Sequence, residues 1–375
     1  MEKSNDEELE EYTDELYTGI IAIDRTYIFD SRVKELLEAF EKSIDYIKKH
    51  TDLSEAEIKD AINQTIYQIE FKDGYPENPN GVGYVDTIFK LLSVNLKVLK
   101  ETPEYIYEFI RHEMTHMIGG REVKVWLKKN PIAISGYSRE SVYDENSKKD
   151  FESFNEAAVE MFVNQDEEYK EEKIFDYTIN TNQGLNGGLY CLNSNLIHQM
   201  LIAGEIGEKE FFKGLYDYKK SKQVIGKFRK TIFKKLSTNM DIITQNINDY
   251  YDVEDEICDL PKNDESSYVV ENRMKMQESK KNLEDTISSS ERMIIDKILL
   301  PKLKRVPLNE RQPILDEYYK FIISEKEYFR VKTKYRAVAD VGKHTSSCFK
   351  HIDVEPLDMN KFSKASLRKE RDREE

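Results

Sequence analysis

Cysteine, proline and glycine are all scarce in this chain of 375 residues, and each shortage narrows the possible classes of protein. The three cysteines are odd in number and include no C-x-x-C pair, so a disulfide scaffold is not expected and a reduced intracellular compartment fits best. The nine prolines and 15 glycines favour long helices joined by short loops.

Long apolar runs are also missing from the start of the chain. Residues 1–15 are acidic, and the apolar stretch 19–23 is too short for a signal peptide or a membrane span. We therefore expect a cytoplasmic protein without a membrane partner, and leave export without a signal peptide open. A net charge of −15 argues against nucleic acid as a partner.

Histidine is rare as well, yet two of the six histidines stand four residues apart in His112-Glu113-Met114-Thr115-His116. On a helix this H-E-x-x-H spacing places both imidazoles on one face, within reach of one metal ion. Glu113 would stand beside that metal, where it can take a proton from a water molecule. A cap at Thr102-Pro103 and a stop at Gly119-Gly120 predict the helix, and the apolar pattern places both histidines on its buried side.

A catalytic zinc ion takes three protein ligands, and the sequence offers two candidates for the third. Glu122 occupies the place of the last histidine in the metzincin pattern. Glu156 lies on a second predicted helix (151–164), one turn before Glu160. Two carboxylates one turn apart repel by about 0.2–0.5 kcal/mol, which a dication would offset. This reasoning favours Glu156 and leaves Glu122 as the alternative.

The two motifs, HEMTH at 112–116 and NEAAVE at 155–160, together resemble the signature of the gluzincins, the thermolysin-like zinc metallopeptidases. The resemblance covers roughly residues 80–215. It implies peptide-bond hydrolysis with one Zn²⁺ ion, a peptide or protein substrate, and Glu113 as general base. The implied zinc ligands are His112, His116 and Glu156.

The resemblance also implies residues behind the ligands. Glu160 would hold the first histidine of the motif, with Asn155 in support; position 160 is Glu where thermolysin has Asp. An oxyanion-stabilising His or Tyr is expected too, and the candidates are His198, Tyr190, Tyr137 and Tyr143. The segment between the two motifs is longer than in thermolysin.

We expect an α+β fold that is predominantly α-helical, with a zincin-like catalytic core, a small sheet and an all-helical C-terminal region. The predicted divisions are N-terminal helices and strand (1–75), metallopeptidase core (76–218), helical region (219–362) and charged tail (363–375). Residues 121–150 are predicted to be a long connection, and 314–329 a single helix.

Two other functions are compatible with the sequence. One is a regulatory intracellular H-E-x-x-H protein that cleaves a single dedicated partner. The other is a non-enzymatic helical interaction module with a structural metal site. Zinc content and cleavage of a peptide library distinguish these hypotheses from a general metallopeptidase.

Overall fold

The computed structural model describes residues 22–23, 31–59, 68–72, 82–86, 91–95, 97–99, 103–123, 132–141, 150–182, 189–258, 260 and 266–346. The predicted tails 1–15 and 363–375 lie outside these residues. In the described part, no helix is long and apolar enough to cross a membrane. The expected α+β fold with a predominance of helix is confirmed.

The N-terminal half mixes helices with short strands. Its elements are β1 (Ala22–Ile23), α1 (Ser31–His50), β2 (Gln68–Lys72), β3 (Gly83–Asp86), β4 (Leu91–Asn95), α2 (Pro103–Gly119), β5 (Gly120–Val123), β6 (Ile132–Ser135), β7 (Ser138–Ser141), α3 (Glu152–Val163), β8 (Lys170–Ile174) and β9 (Tyr177–Thr181). The predicted start and end of the H-E-x-x-H helix are confirmed by the bounds of α2.

The first four strands form one sheet in the order β1-β2-β4-β3, against which α2 packs. β2 runs parallel to β1 and β4, while β3 is antiparallel to β4. A Cβ atom at Gly83 would stand 2.6 Å from the ring of Phe109 and 2.5 Å from the carbonyl oxygen of Ser93. Glycine at this position therefore lets α2 approach the sheet closely.

The prediction that 121–150 is only a connection was wrong. β5, β6 and β7 form an antiparallel sheet, and β6 and β7 are joined by the two-residue turn Gly136-Tyr137. Gly136 has a φ of +58°, which suits the twisted turns that close such hairpins. Strands of four residues are too short to show a clear alternation, and the hairpin of β8 and β9 was missed for the same reason.

The C-terminal half is helical throughout its described part. It contains α4 (Cys191–Gly204), α5 (Glu208–Tyr216), α6 (Tyr218–Lys227), α7 (Lys230–Ile257), α8 (Ser267–Ile294, continued by a π-helical turn Ile295–Leu299 and an α-turn Leu300–Leu303), α9 (Leu308–Tyr319) and α10 (Glu325–Ser346). The division at 218/219 stays a prediction, and hydrogen bonds cross it: the Asn193 amide donates to Thr244 Oγ1 over 2.9 Å.

A helix break was not predicted: 314–329 is not one helix, because α9 ends at Tyr319 and α10 begins at Glu325. A buried carboxylate on α8 explains the break. Glu291 accepts hydrogen bonds from the backbone N–H groups of Ile323 (2.6 Å) and Ser324 (3.0 Å). The amide of Gln199 on α4 donates to the same carboxylate over 2.8 Å. This network replaces the helical hydrogen bonds that the break removes.

Removal of the Glu291 carboxylate should weaken the fold. Glu291→Ala leaves the backbone N–H groups of Ile323 and Ser324, and one N–H of the Gln199 amide, buried without an acceptor. We therefore expect the free energy of unfolding to fall by about 3 kcal/mol. Urea unfolding followed by circular dichroism measures the change. Glu278→Ala, at an exposed position of the same helix, is the matched control. Equal changes in the two variants would contradict the role of this network.

Glu291 should also make stability depend on pH. Burial raises its pKa from 4.5 to about 7, although its three N–H donors oppose the shift. As pH rises through this window the unfolded chain releases its proton first, so the free energy of unfolding declines. We expect Glu291→Gln to remove this part of the decline. Urea unfolding at about pH 5 and about pH 7.5 tests the prediction, which fails if variant and wild type show the same pH dependence.

Candidate metal centre

Helices α2 and α3 bring the three predicted ligands together. The Nε2 atoms of His112 and His116 are 3.0 Å apart. Oε2 of Glu156 lies 3.3 Å from Nε2 of His112 and 3.2 Å from Nε2 of His116. Within the described part of the chain, these residues are the group whose ligand atoms could hold a metal ion.

The spacing of these atoms fits a small tetrahedral cation. Ligand atoms about 2.0–2.1 Å from a tetrahedral zinc ion stand about 3.3 Å from one another. The three observed separations of 3.0, 3.2 and 3.3 Å match that edge length. Two imidazoles and one carboxylate are also a donor set of catalytic zinc sites. The residues present therefore fit the ion that the motifs imply.

Glu160 holds the first histidine from behind. Its Oε1 atom lies 2.9 Å from Nδ1 of His112. The carboxylate accepts the proton on Nδ1, so a neutral His112 would direct the lone pair of Nε2 toward Glu156, as metal binding through Nε2 requires. The side chain of Glu160 is itself fixed, since the Asn164 amide donates to its Oε2 over 3.4 Å. The predicted contact of position 160 with His112 is present.

Asn155 contacts the second histidine. Its amide nitrogen lies 3.4 Å from Nδ1 of His116, and its oxygen accepts from the backbone N–H of Tyr137 over 2.8 Å. A Cβ atom at Gly136 would stand 2.5 Å from that oxygen, so a side chain at position 136 would collide with the amide of Asn155. Because an amide nitrogen can only donate, hydrogen bonding supplies an acceptor for the Nδ1 proton at His112 but not at His116.

The charges of the site are strongly coupled. Burial alone would lower the pKa of His112, but the carboxylates of Glu156 and Glu160 raise it well above its ordinary value. Burial alone would raise the pKa of Glu156, but His116 and His112 hold it well below its ordinary value. Positive charge on the two histidines therefore favours the ionised form of Glu156, and a bound metal cation would favour it in the same way.

Glu113 is a buried carboxyl group on the same helix as the two histidines, with 7% of its surface exposed. Burial raises its pKa, and the charges of His112 and His116 partly oppose this shift. A carboxyl group with a raised pKa can both accept and return a proton near neutral pH. This property suits the predicted role of general base.

Two of the predicted oxyanion candidates are engaged elsewhere. His198 is buried, lies 3.0 Å from the Tyr169 hydroxyl through its Nε2 atom, and stacks on Phe321 with ring centres 4.2 Å apart. Tyr137 is buried and donates its hydroxyl proton to the Phe211 carbonyl over 2.7 Å. The described contacts of these two side chains do not include the three ligand residues.

Tyr190 is the candidate that lies beside the ligand helix. It immediately precedes α4, whose Ser194 hydroxyl donates to the Ala157 carbonyl on α3 over 3.3 Å. Burial raises the pKa of Tyr190 well above its ordinary value, and the charge of Glu156 contributes next. The start of α4 therefore packs against the ligand helix, and the charge of Glu156 acts on the phenol of Tyr190.

The alternative third ligand, Glu122, has its backbone in β5 opposite Ala133, and its side chain lies outside the described residues, as does Tyr143.

The sequence analysis did not predict the contact of the turn Gly136-Tyr137 with Asn155. A glycine directly after the segment Ile132-Ala133-Ile134-Ser135, which contains two β-branched residues, was the available signal for the turn that holds Asn155.

Comparison with known proteins adds no further information about this site: no protein family, curated protein or solved structure matches the chain.

Loss of the Glu160 carboxylate should weaken metal binding. Glu160→Ala removes the acceptor for the His112 Nδ1–H group, and such losses reduce metal affinity by about 10–100-fold. Competition with a chromogenic zinc chelator measures the affinity. Glu167→Ala, at an exposed position shortly after α3, is the control and should retain wild-type affinity. Identical affinities in wild type and Glu160→Ala would contradict this assignment.

Proposed function

We propose that this protein is a zinc-dependent metallopeptidase of gluzincin type. The observation that carries the proposal is the convergence of His112, His116 and Glu156 at 3.0–3.3 Å, with the buried Glu113 between the two histidines in sequence. The scarcity of cysteine supports a reducing, cytoplasmic location.

A bound zinc ion and the side chains of the protein would each supply part of the chemistry of peptide hydrolysis. Zinc bound by the three ligands would supply Lewis acidity for a peptide carbonyl and for the attacking water. Glu113 accepts the proton of that water and returns it to the leaving amine. Its burial supports this role, because desolvation raises the pKa of the carboxyl group and so makes its carboxylate a stronger base. Glu160 keeps His112 oriented during both steps.

Among the oxyanion candidates that the structure describes, Tyr190 has the most support. Its phenol interacts electrostatically with Glu156, whereas His198 and Tyr137 are bonded to other groups. A phenol with a raised pKa keeps its proton at neutral pH and can donate a hydrogen bond to a developing negative charge. We therefore assign Tyr190 to the oxyanion and leave His198 without a role in the reaction.

The position of strand β3 in its sheet supports an extended peptide as the substrate. β3 is the last strand in the described order β1-β2-β4-β3, and it contacts α2. An edge strand offers unpaired backbone N–H and carbonyl groups to a further strand. A peptide added there would run beside the helix that carries His112 and His116.

The ligand count favours a catalytic over a purely structural metal site. Structural zinc sites are closed by four protein ligands, whereas catalytic sites use three and keep one position open. Three candidate ligands are grouped in the described part of the chain. Their side chains retain some exposure, 16% for His112, 11% for His116 and 22% for Glu156, so a substrate can reach them.

Two substitutions separate metal binding from catalysis. His116→Ala should lose stoichiometric zinc, because it removes one of three ligands. Glu113→Gln should keep zinc and lose cleavage of a peptide library by at least about 100-fold, since it removes the general base. Elemental analysis and mass spectrometry of the cleaved library give the two readouts. Glu104→Gln, at an exposed position of the same helix, is the control.

Other outcomes choose between the alternatives. Zinc without any cleavage, unchanged by Glu113→Gln, would support the interaction module with a structural metal. Cleavage restricted to one partner protein would favour the regulatory peptidase. Absence of stoichiometric zinc in the wild type would contradict both peptidase hypotheses.

A further inference from the structure

A second cavity, distinct from the metal centre, surrounds His198. It has a volume of about 390 Å³, which lies in the range of small-molecule sites. Its lining includes Tyr169, His198, Gly207, Glu208, Glu317 and Phe321, and none of the three metal-ligand residues. The cavity lies where α4, the start of α5 and the break after α9 meet.

Three aromatic side chains pack against one another on one side of this cavity. The rings of His198 and Phe321 stack at 4.2 Å with an interplanar angle of 17°. Tyr169 packs edge-on against both, with ring centres 5.6 Å away in each case. Tyr169 nevertheless keeps 41% of its surface exposed, so an incoming group can reach this side chain. The face of a tyrosine ring attracts cations.

The charges at the cavity are predominantly negative. Burial lowers the pKa of His198 to about 3, so this imidazole is neutral at physiological pH. The lining carries two carboxyl groups, Glu208 and Glu317, and Lys320 is 2.6 Å from the second. Glu208 has no such lysine among its described contacts; its Oε1 atom lies 3.7 Å from Nδ1 of the neutral His198.

Glu208 thus lies beside the aromatic side chains with no cationic partner among its described contacts, and its side chain is 48% exposed. Burial raises its pKa, and Glu317 adds to the shift, while a hydrogen bond with Gln165 opposes it. A cation in the cavity would favour the ionised form of Glu208. The remaining lining is apolar except for Asn180 and includes Leu201 and Ile206, so the body of the ligand should be mainly apolar as well.

We propose that this cavity binds a small organic ammonium ion with an apolar body, the ammonium group lying between Glu208 and the face of Tyr169. The inference does not rest on the proposed peptidase activity, because no metal ligand lines the cavity. It also gives a role to His198, which packs against the aromatic side chains and adds no positive charge beside Glu208.

Gly207 allows the cavity to be filled without disturbing the backbone. It precedes α5 with a φ of −67°, a conformation open to any residue, and a Cβ atom there would have no neighbour within 4 Å. Gly207→Leu therefore adds a side chain to a lining position. Gly226→Leu is the matched control, since a Cβ atom at Gly226 also meets nothing within 4 Å and Gly226 is absent from the lining.

Binding of 2-phenylethylammonium, measured by saturation-transfer NMR and calorimetry on the full chain, tests the proposal. We expect wild type to prefer it over 2-phenylethanol, a neutral analogue, by at least about tenfold. Glu208→Gln and Gly207→Leu should each weaken binding of the ammonium ion by about tenfold or more. Gly226→Leu and the exposed Glu310→Gln should bind like wild type, with folding of all variants checked by circular dichroism.

His116→Ala should keep its affinity for the probe, which separates this cavity from the metal centre. Equal binding of the ammonium ion and the alcohol would overturn the proposal, as would stronger binding of phenylacetate. Unchanged affinity in Gly207→Leu, or loss of binding in His116→Ala, would place the probe elsewhere and overturn it too.

Discussion

Three groups that can each ligate a metal ion face one another at the contact of α2 with α3, and this is the constraint on which the candidate site depends. Two imidazole nitrogens and one carboxylate oxygen lie within 3.0–3.3 Å in a largely buried setting. A proton joins only two of these atoms at a time, whereas a dication can contact all three. The surrounding contacts, from Glu160 to His112 and from Asn155 to His116, hold this arrangement in place.

The grouping of the candidate ligands could be predicted in part because helix geometry is local. Residues four apart on a helix share a face, so His112 with His116, and Glu156 with Glu160, could be paired from spacing alone. The meeting of the two helices depended on the resemblance to gluzincins, since no local pattern reveals a distant contact. That resemblance also supplied His198 as a candidate, and its observed contacts are with Tyr169 and Phe321 instead.

The parts of the fold that the sequence missed depend on distant partners or on very short elements. The break between α9 and α10 is decided by Glu291, about thirty residues earlier on another helix. A local signal did exist: Ser324 and Glu327 have capping-box spacing, and the Glu327 N–H donates to Ser324 Oγ over 3.4 Å. The strands of four or five residues gave no comparable signal.

The C-terminal helices support the metal centre through α4. Gln199 of this helix donates to Glu291 on α8 and to the Phe321 carbonyl, and accepts from the Tyr318 hydroxyl over 2.8 Å. Residues at the start of α4 reach the ligand helix, where Ser194 contacts Ala157. The same helix therefore links the candidate metal centre, the cavity around His198 and the buried network of Glu291.

X-ray absorption spectroscopy at the zinc edge, on protein purified without added chelator, tests the central claim most directly. The account predicts one zinc ion with two imidazole nitrogens and one carboxylate oxygen at about 2.0–2.1 Å, and a light-atom ligand in the remaining position. A sulfur ligand at about 2.3 Å, or a shell without imidazole scattering, would contradict it.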